Sequence, residues 1–119
     1  MCVQPISALS FRAGKIELNA INRKDLSNYD SIQLLARQSY CDFLIEKKQN
    51  LKYTPDYNVF QVLARRKWIN SKYIYGQEFV TLHKNTPSEK VAEKIYELSL
   101  AAVKNTRKKI LDLAKTCIK

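Results

Sequence analysis

Apolar residues recur at steps of three and four along residues 27–50, which is the spacing of one face of an α-helix. Ser27 supplies an N-cap, and Lys47 and Lys48 fall in the last turn, where cations complement the helix dipole. The stripe comprises Ile32, Leu35, Ala36, Tyr40, Phe43 and Leu44. This pattern predicts a first helix over about 27–50.

A second helix is predicted over about 55–70. Thr54 can cap it, and Pro55 suits the first helical position because the N–H that proline lacks has no partner there. The apolar face consists of Val59, Phe60, Val62 and Leu63. These positions again follow helical steps.

The best-defined element begins at Thr86-Pro87-Ser88-Glu89, whose spacing is that of a capping box with proline at the first helical position. An apolar stripe continues from Val91 to Cys117 without a helix breaker. About thirty residues at 1.5 Å each give roughly 45 Å, which exceeds the height of a small bundle. We therefore predict a helix over about 87–117, part of which protrudes or packs against another chain.

Two shorter stretches leave alternatives open. Residues 15–21 alternate as a strand does but also suit a helical turn, and residues 72–82 fit either a small hairpin around Gly76 or a short helix. The predicted fold is mainly α: a bundle of three principal helices (27–50, 55–70 and 87–117), with a minor β-hairpin or irregular element near 15–21 and 72–82. Residues 1–119 would form one helical domain, with 1–22 as an N-terminal arm that the pattern leaves undefined.

Composition narrows the class of protein. The 119 residues, 45% of them hydrophobic, include two glycines and three prolines, which is typical of a packed globule. Cys2, Cys41 and Cys117 form no C-x-x-C pair, so we expect reduced thiols. The chain shows neither a signal peptide nor an apolar run long enough to span a membrane, and a cytoplasmic location is expected.

The residues that usually carry catalysis are sparse. His83 is the one histidine, so a usual zinc site is not expected, and two glycines cannot build a phosphate-binding loop. Glu89, Glu93 and Glu97 share a helix face but sit near the positive end of its dipole among lysines, as surface charges do. We expect no enzymatic activity, no metal and no cofactor.

Positive charge is the compositional outlier: 21 Lys and Arg against 11 Asp and Glu give a net charge of +10. This excess favours an acidic partner, nucleic acid first. One cluster mixes cations with rings that could stack on unpaired bases: Arg65, Arg66, Lys67, Trp68, Lys72, Tyr73 and Tyr75. A second cluster lies within the last predicted helix: Lys104, Arg107, Lys108, Lys109 and Lys115.

Both clusters also have structural explanations. A helix that is acidic at its start and basic at its end complements its own dipole, and Trp68 and the tyrosines could be core residues. Our prediction is a small, basic, non-enzymatic intracellular protein that contacts RNA or DNA through these clusters. The alternative is a structural or adaptor module that uses the C-terminal helix to bind another protein or a second copy of itself.

Overall fold

The structure is a computed structural model that describes residues 14–49, 55–68 and 72–118, with the side chains of the last helix described to residue 115. Its elements in chain order are β1 (Ile16–Asn19), a 3-10 turn (Arg23–Asp25), α1 (Tyr29–Gln38), β2 (Cys41–Gln49), β3 (Tyr57–Lys67), β4 (Tyr73–His83) and α2 (Ser88–Ile118). The fold is therefore α/β, and the predicted three-helix bundle is wrong.

Within these residues the strands form one mixed sheet in the order β1-β2-β3-β4. β1 runs parallel to β2, which follows it through the α1 crossover, whereas β2, β3 and β4 are antiparallel neighbours. Both helices lie on the same face of the sheet. The side-chain amide of Asn28, next to α1, donates to the Ala92 carbonyl of α2 at 2.9 Å and so links the two helices.

The core lies between this face and the helices. Every second strand residue points toward the helices, as the two-residue period of a strand requires. Five of these residues are at most 5% exposed: Phe43, Ile45, Phe60, Val62 and Ala64. The helices contribute Ile32, Ala36, Ala92, Ile95, Ala102 and Val103. Burying a large side chain of this kind contributes about 1.5–3 kcal/mol. The fold is stabilised mainly at this one interface.

The predicted helix over 27–50 is wrong beyond Gln38. The Ser39 hydroxyl donates to the Leu35 carbonyl at 2.6 Å, and Tyr40 has φ = 58°, so the chain leaves the helix through a left-handed residue. Tyrosine is an unusual residue at such a position, which glycine or asparagine commonly occupies. The following residues 41–49 form β2, and residues 41–46 alternate between buried and partly exposed positions.

The predicted helix over 55–70 is wrong as well, because β3 occupies residues 57–67. Phe60 and Val62 point into the core, whereas Val59 and Leu63 point to the other face of the sheet. A strand with apolar residues on both faces contains pairs at three- and four-residue steps. This spacing is the same as that of an apolar helix face and led to the wrong prediction, although the β-branched and aromatic residues of the segment favour a strand.

The stretches left open, 15–21 and 72–82, are strands of this sheet and not a minor element beside a bundle. The C-terminal helix is present over Ser88–Ile118, close to the predicted 87–117. Its start differs in detail, because the Thr86 hydroxyl donates to the His83 carbonyl at the end of β4 at 2.6 Å. Of the proposed N-terminal arm, residues 14–22 include β1, and residues 1–13 lie outside the described residues.

α2 crosses the sheet directly above Gly76. A Cβ atom at this position would overlap the Ala102 carbonyl oxygen and lie 2.9 Å from the Thr106 nitrogen. Glycine is therefore required for the helix backbone to approach β4 so closely. Beyond Thr106 the described side chains of α2 are half-buried or exposed, and Leu111 is 61% exposed, so this end of the helix extends past the core.

Candidate functional site

The face of the sheet opposite the helices, here called the open face, is covered by none of the described elements. Its positions are the odd-numbered residues of β1, β3 and β4 and the even-numbered residues of β2, as the strand register shows. Leu44 and Leu63 lie half-buried at its centre. An uncovered sheet face that carries apolar and aromatic residues is a candidate binding surface.

Four residues at one end of the β3–β4 hairpin form what we call the Tyr–Arg patch: Arg65, Lys67, Tyr73 and Tyr75. On the open face Arg65 pairs with Tyr75 and Lys67 with Tyr73. The Arg65 guanidinium carbon lies 4.6 Å from the centroid of the Tyr73 ring, and the two tyrosine centroids are 6.5 Å apart. Both rings remain more than 40% exposed. Planar cationic and aromatic groups therefore share one accessible surface.

Asp42 of β2 holds the arginine of this patch in place. One carboxylate oxygen, Oδ2, lies 3.4 Å from both Nε and Nη2 of Arg65, while Oδ1 accepts the Lys15 backbone N–H at 3.0 Å. The Arg65 side chain is still 45% exposed. An ion pair this exposed adds little stability, so we assign Asp42 a positioning role.

The first predicted cluster is divided between the two faces. Arg66 alternates with Arg65 and Lys67 and so points to the helix side, where its guanidinium lies 5.7 Å from the Tyr40 ring centroid. The Trp68 backbone N–H donates to the Lys72 carbonyl at 2.7 Å and closes the hairpin. Lys72 is exposed at this end, and Trp68 is half-buried. Periodicity alone cannot separate these residues until the segment is known to be a strand.

The second predicted cluster, on α2, contacts the first through a single residue, Lys109. The Lys109 ammonium donates to the Tyr75 carbonyl at 2.6 Å, and the Asn105 amide donates to the Gln77 carbonyl at 3.2 Å. These contacts bring α2 to the edge of β4 beside the Tyr–Arg patch and occupy two edge carbonyls that an additional strand would need. The other basic residues of the cluster are exposed along α2: Lys104, Arg107, Lys108 and Lys115.

Charge is unevenly distributed over the open face. The half formed by β1 and β2 carries Glu17, Asp42 and Glu46, together with Lys48. On the open side of residues 57–67 and 73–83 there is no carboxylate, and Arg65 and Lys67 supply positive charge. An anionic ligand would therefore be attracted to the β3–β4 half of the face.

Phe79 is the main residue that sequence reasoning missed. It lies on the open side of β4 opposite Gln61 and is 64% exposed, more than either tyrosine of the patch. Its odd-numbered position, shared with Tyr73 and Tyr75, becomes a signal once residues 73–83 are treated as one strand. At the far end of β3, Tyr57 packs edge-on against His83 with a centroid distance of 5.2 Å.

Groups for other chemistries are scarce in the described part of the chain. No cluster of three or more His, Cys, Asp and Glu side chains suited to a metal occurs in residues 14–49, 55–68 and 72–118. Burial raises the pKa of the Cys41 thiol, which is the unfavourable direction for a nucleophile. His83 is the last residue of β4, and its Nδ1 accepts the Asn85 backbone N–H at 3.1 Å.

Within the described residues, no helix has the length and apolar character needed to cross a membrane.

The chain matches no family model, and no curated protein or solved structure shows significant similarity to it. Its function must therefore be argued from the open face itself.

Proposed function

We propose that this protein is a non-enzymatic nucleic-acid-binding protein that contacts its ligand through the β3–β4 half of the open face. The observation that carries the proposal is the Tyr–Arg patch, in which two cationic side chains and two exposed rings share a surface without a carboxylate on that half of the face. Arginine and lysine contact phosphates, and tyrosine rings stack on bases. The patch supplies both kinds of group.

The charge of the whole chain supports the same ligand. A net charge of +10 attracts polyanions before contact, and Lys109 adds an ammonium group at the edge of the patch. Lysine carries three N–H donors, so the bond to the Tyr75 carbonyl leaves donors for a phosphate. A cytoplasmic location, where RNA is plentiful, is part of the proposal.

The test compares two variants of equal net charge. Arg65→Gln/Lys67→Gln alters the patch, whereas Lys24→Gln/Lys90→Gln removes two exposed charges elsewhere. Binding to labelled RNA and DNA, single-stranded and duplex, is measured by fluorescence anisotropy at about 50 and 200 mM salt. We expect the patch variant to bind at least about tenfold more weakly and with a shallower salt dependence, and the control to change about two- to threefold.

Two results would contradict the proposal. If the wild-type protein binds none of these nucleic acids at the lower salt concentration, the function is wrong. If the two variants weaken binding equally, net charge acts without a site, and the Tyr–Arg patch is not the contact surface.

A second candidate function is association through α2. Leu100 and Leu111, which lie on the same side of the helix, are 45% and 61% exposed, and the helix extends past the core beyond Thr106. Exposed leucines on a long helix are typical of helix–helix interfaces. Sedimentation equilibrium of wild-type protein and of Leu111→Lys tests this candidate: a dimer that the substitution dissociates supports it, and a monomer at high concentration contradicts self-association.

A further inference from the structure

We infer that the ligand is an unpaired strand that runs along β4, with its bases stacked on the row of open-face rings formed by Tyr73, Tyr75 and Phe79. This inference rests on the proposed function and specifies its substrate class. It predicts a footprint of about four nucleotides, one for every two residues of the strand.

The exposure of the rings is the first argument. Phe79 is 64% exposed and Tyr75 44%, on a strand whose inward residues already pack against α2. Neither ring is a core residue. The phenylalanine ring has no group that hydrogen-bonds to water, so its exposure is unfavourable. Stacking a base on each ring would bury this apolar surface, and such stacking is independent of base identity because every base has a π-face.

The spacing of the row is the second argument. Alternate residues of a strand are about 6.8 Å apart, and the measured distance between the Tyr73 and Tyr75 centroids is 6.5 Å. Nucleotides of one duplex strand are about 3.4 Å apart, so the strand must be unstacked and extended for successive bases to match the spacing of the rings. Successive bases would therefore meet Tyr73, Tyr75, the position of Gln77 and then Phe79.

Arg65 widens the stacking surface. Its guanidinium lies over one face of the Tyr73 ring, 4.6 Å from the centroid, and is anchored by Asp42 at 3.4 Å, so a base at this position would stack on the guanidinium or on the other face of the ring. Guanidinium planes stack on bases as aromatic rings do. The arginine thus extends the row toward β3 with a group already fixed in position, which lowers the entropy lost on binding.

Charge fixes where the sugar–phosphate backbone would lie. Glu17, Asp42 and Glu46 make the β1–β2 half of the open face unfavourable for phosphates. Lys109 lies at the opposite edge, bonded to the Tyr75 carbonyl at 2.6 Å. Positive charge lies on both sides of the row, with Arg65 and Lys67 on β3 and Lys109 beyond β4, so the phosphates would lie beside the rings and not over β1 and β2.

A duplex does not fit this surface. Its base faces are stacked on one another, so the rings of a sheet surface would meet only the sugar–phosphate backbone. The row therefore separates unpaired from paired nucleic acid by geometry, whereas the basic residues of α2 would attract both.

The experiment measures the affinity of an unpaired strand of about eight nucleotides and of the matching duplex, each at about 50 and 200 mM salt. The test variants are Tyr75→Leu and Phe79→Leu, which keep apolar bulk and remove the ring, and the control is Tyr57→Leu at the far end of β3. We expect each test variant to lose about tenfold in affinity for the unpaired strand with an unchanged salt slope, and Phe79→Tyr to restore Phe79 function. The control should change less than about twofold.

Fluorescence of 2-aminopurine in the strand gives an independent readout, since stacking on a ring quenches it. The inference is overturned if the duplex binds as tightly as the unpaired strand. It is also overturned if the leucine variants bind normally while Arg65→Gln/Lys67→Gln binds weakly; in that case the proposed function stands and base stacking fails. If the wild-type protein binds no nucleic acid at all, both the proposed function and the base-stacking inference are wrong.

Discussion

The two faces of the sheet are built from the same strands but differ in how far their apolar side chains are buried. On the helix side, Ile45 and Val62 are completely buried beneath α1 and α2. On the open side, Leu44 is half-buried and Phe79 is 64% exposed, with none of the described elements above them. Hydrophobic character along a strand therefore does not identify the core; the position of the helices does.

Because of this difference, we expect protein stability and ligand binding to depend on different residues of the same strands. Residues of the helix side should determine the free energy of unfolding, and residues of the β3–β4 half of the open face should determine affinity for a ligand. Because the two sets alternate along each strand, adjacent positions provide matched pairs of variants. Substitutions at such pairs can sharpen the contrast or remove it.

The largest effect is expected from Gly76→Val, which drives a branched side chain into the backbone of α2 at Ala102 and Thr106. We expect a loss of about 4 kcal/mol or more in the free energy of unfolding, which is exceptional for one substitution. Since natural domains are stable by about 5–15 kcal/mol, much of the protein would unfold or release α2. Urea denaturation followed by circular dichroism measures the change.

The neighbouring Gln77→Val is the control for this substitution. Gln77 lies on the open face, and valine favours strands, so the free energy of unfolding should change by less than about 0.5 kcal/mol. If Gly76→Val unfolds no more easily than Gln77→Val, α2 does not pack against β4 as described.

The second comparison uses Ile45→Ala and Leu44→Ala, which remove side chains of similar size from opposite faces of β2. Ile45 is completely buried, so its loss leaves a cavity and should cost about 2–5 kcal/mol. Leu44 is half-buried, and we expect a cost of about 1 kcal/mol or less. Equal destabilisation by the two variants would mean that the open face is covered in solution, for example by a second copy of the chain.

The C-terminal helix could be predicted from sequence because its signals are local. Thr86 and Pro87 mark its start, and an apolar stripe continues to its end. β2 and β3 could not be predicted in this way. The helix before β2 ends at Tyr40, a residue that does not usually take φ = 58°, and β3 carries apolar residues toward the open face as well as the core. Both features depend on tertiary packing, which local periodicity does not contain.

The candidate site shows the same division. Arg65, Lys67, Tyr73 and Tyr75 could be selected from sequence because basic and aromatic residues are mixed there. Their separation from Arg66 depends on strand register, as does the inclusion of Phe79 in the row. Asp42 lies 23 residues from Arg65 in the chain, so its contact with the guanidinium was beyond any local pattern.

The last and smallest effect concerns thiol reactivity on the two faces of β2. Cys41 is completely buried, its Sγ lies 3.9 Å from the Thr106 hydroxyl, and burial raises its pKa. The first protein to be labelled with Ellman's reagent, at about pH 8, is Cys2→Ser/Cys117→Ser, which keeps only Cys41. The second carries Cys41→Ala and Leu44→Cys in the same background, so its one thiol is on the open face. We expect Cys41 to be labelled at least about a hundredfold more slowly than the open-face cysteine.

The pKa of Cys41 also gives the sign of a pH dependence. A thiol whose pKa is higher in the folded than in the unfolded chain favours folding below the unfolded pKa, and this contribution is lost as the pH rises through the folded pKa. The stability of the protein with Cys41 should therefore fall at alkaline pH relative to Cys41→Ala, which carries no such proton. If Cys41 instead reacts as fast as the open-face cysteine, the helix side of the sheet opens to solvent, and the contrast between the two faces is lost.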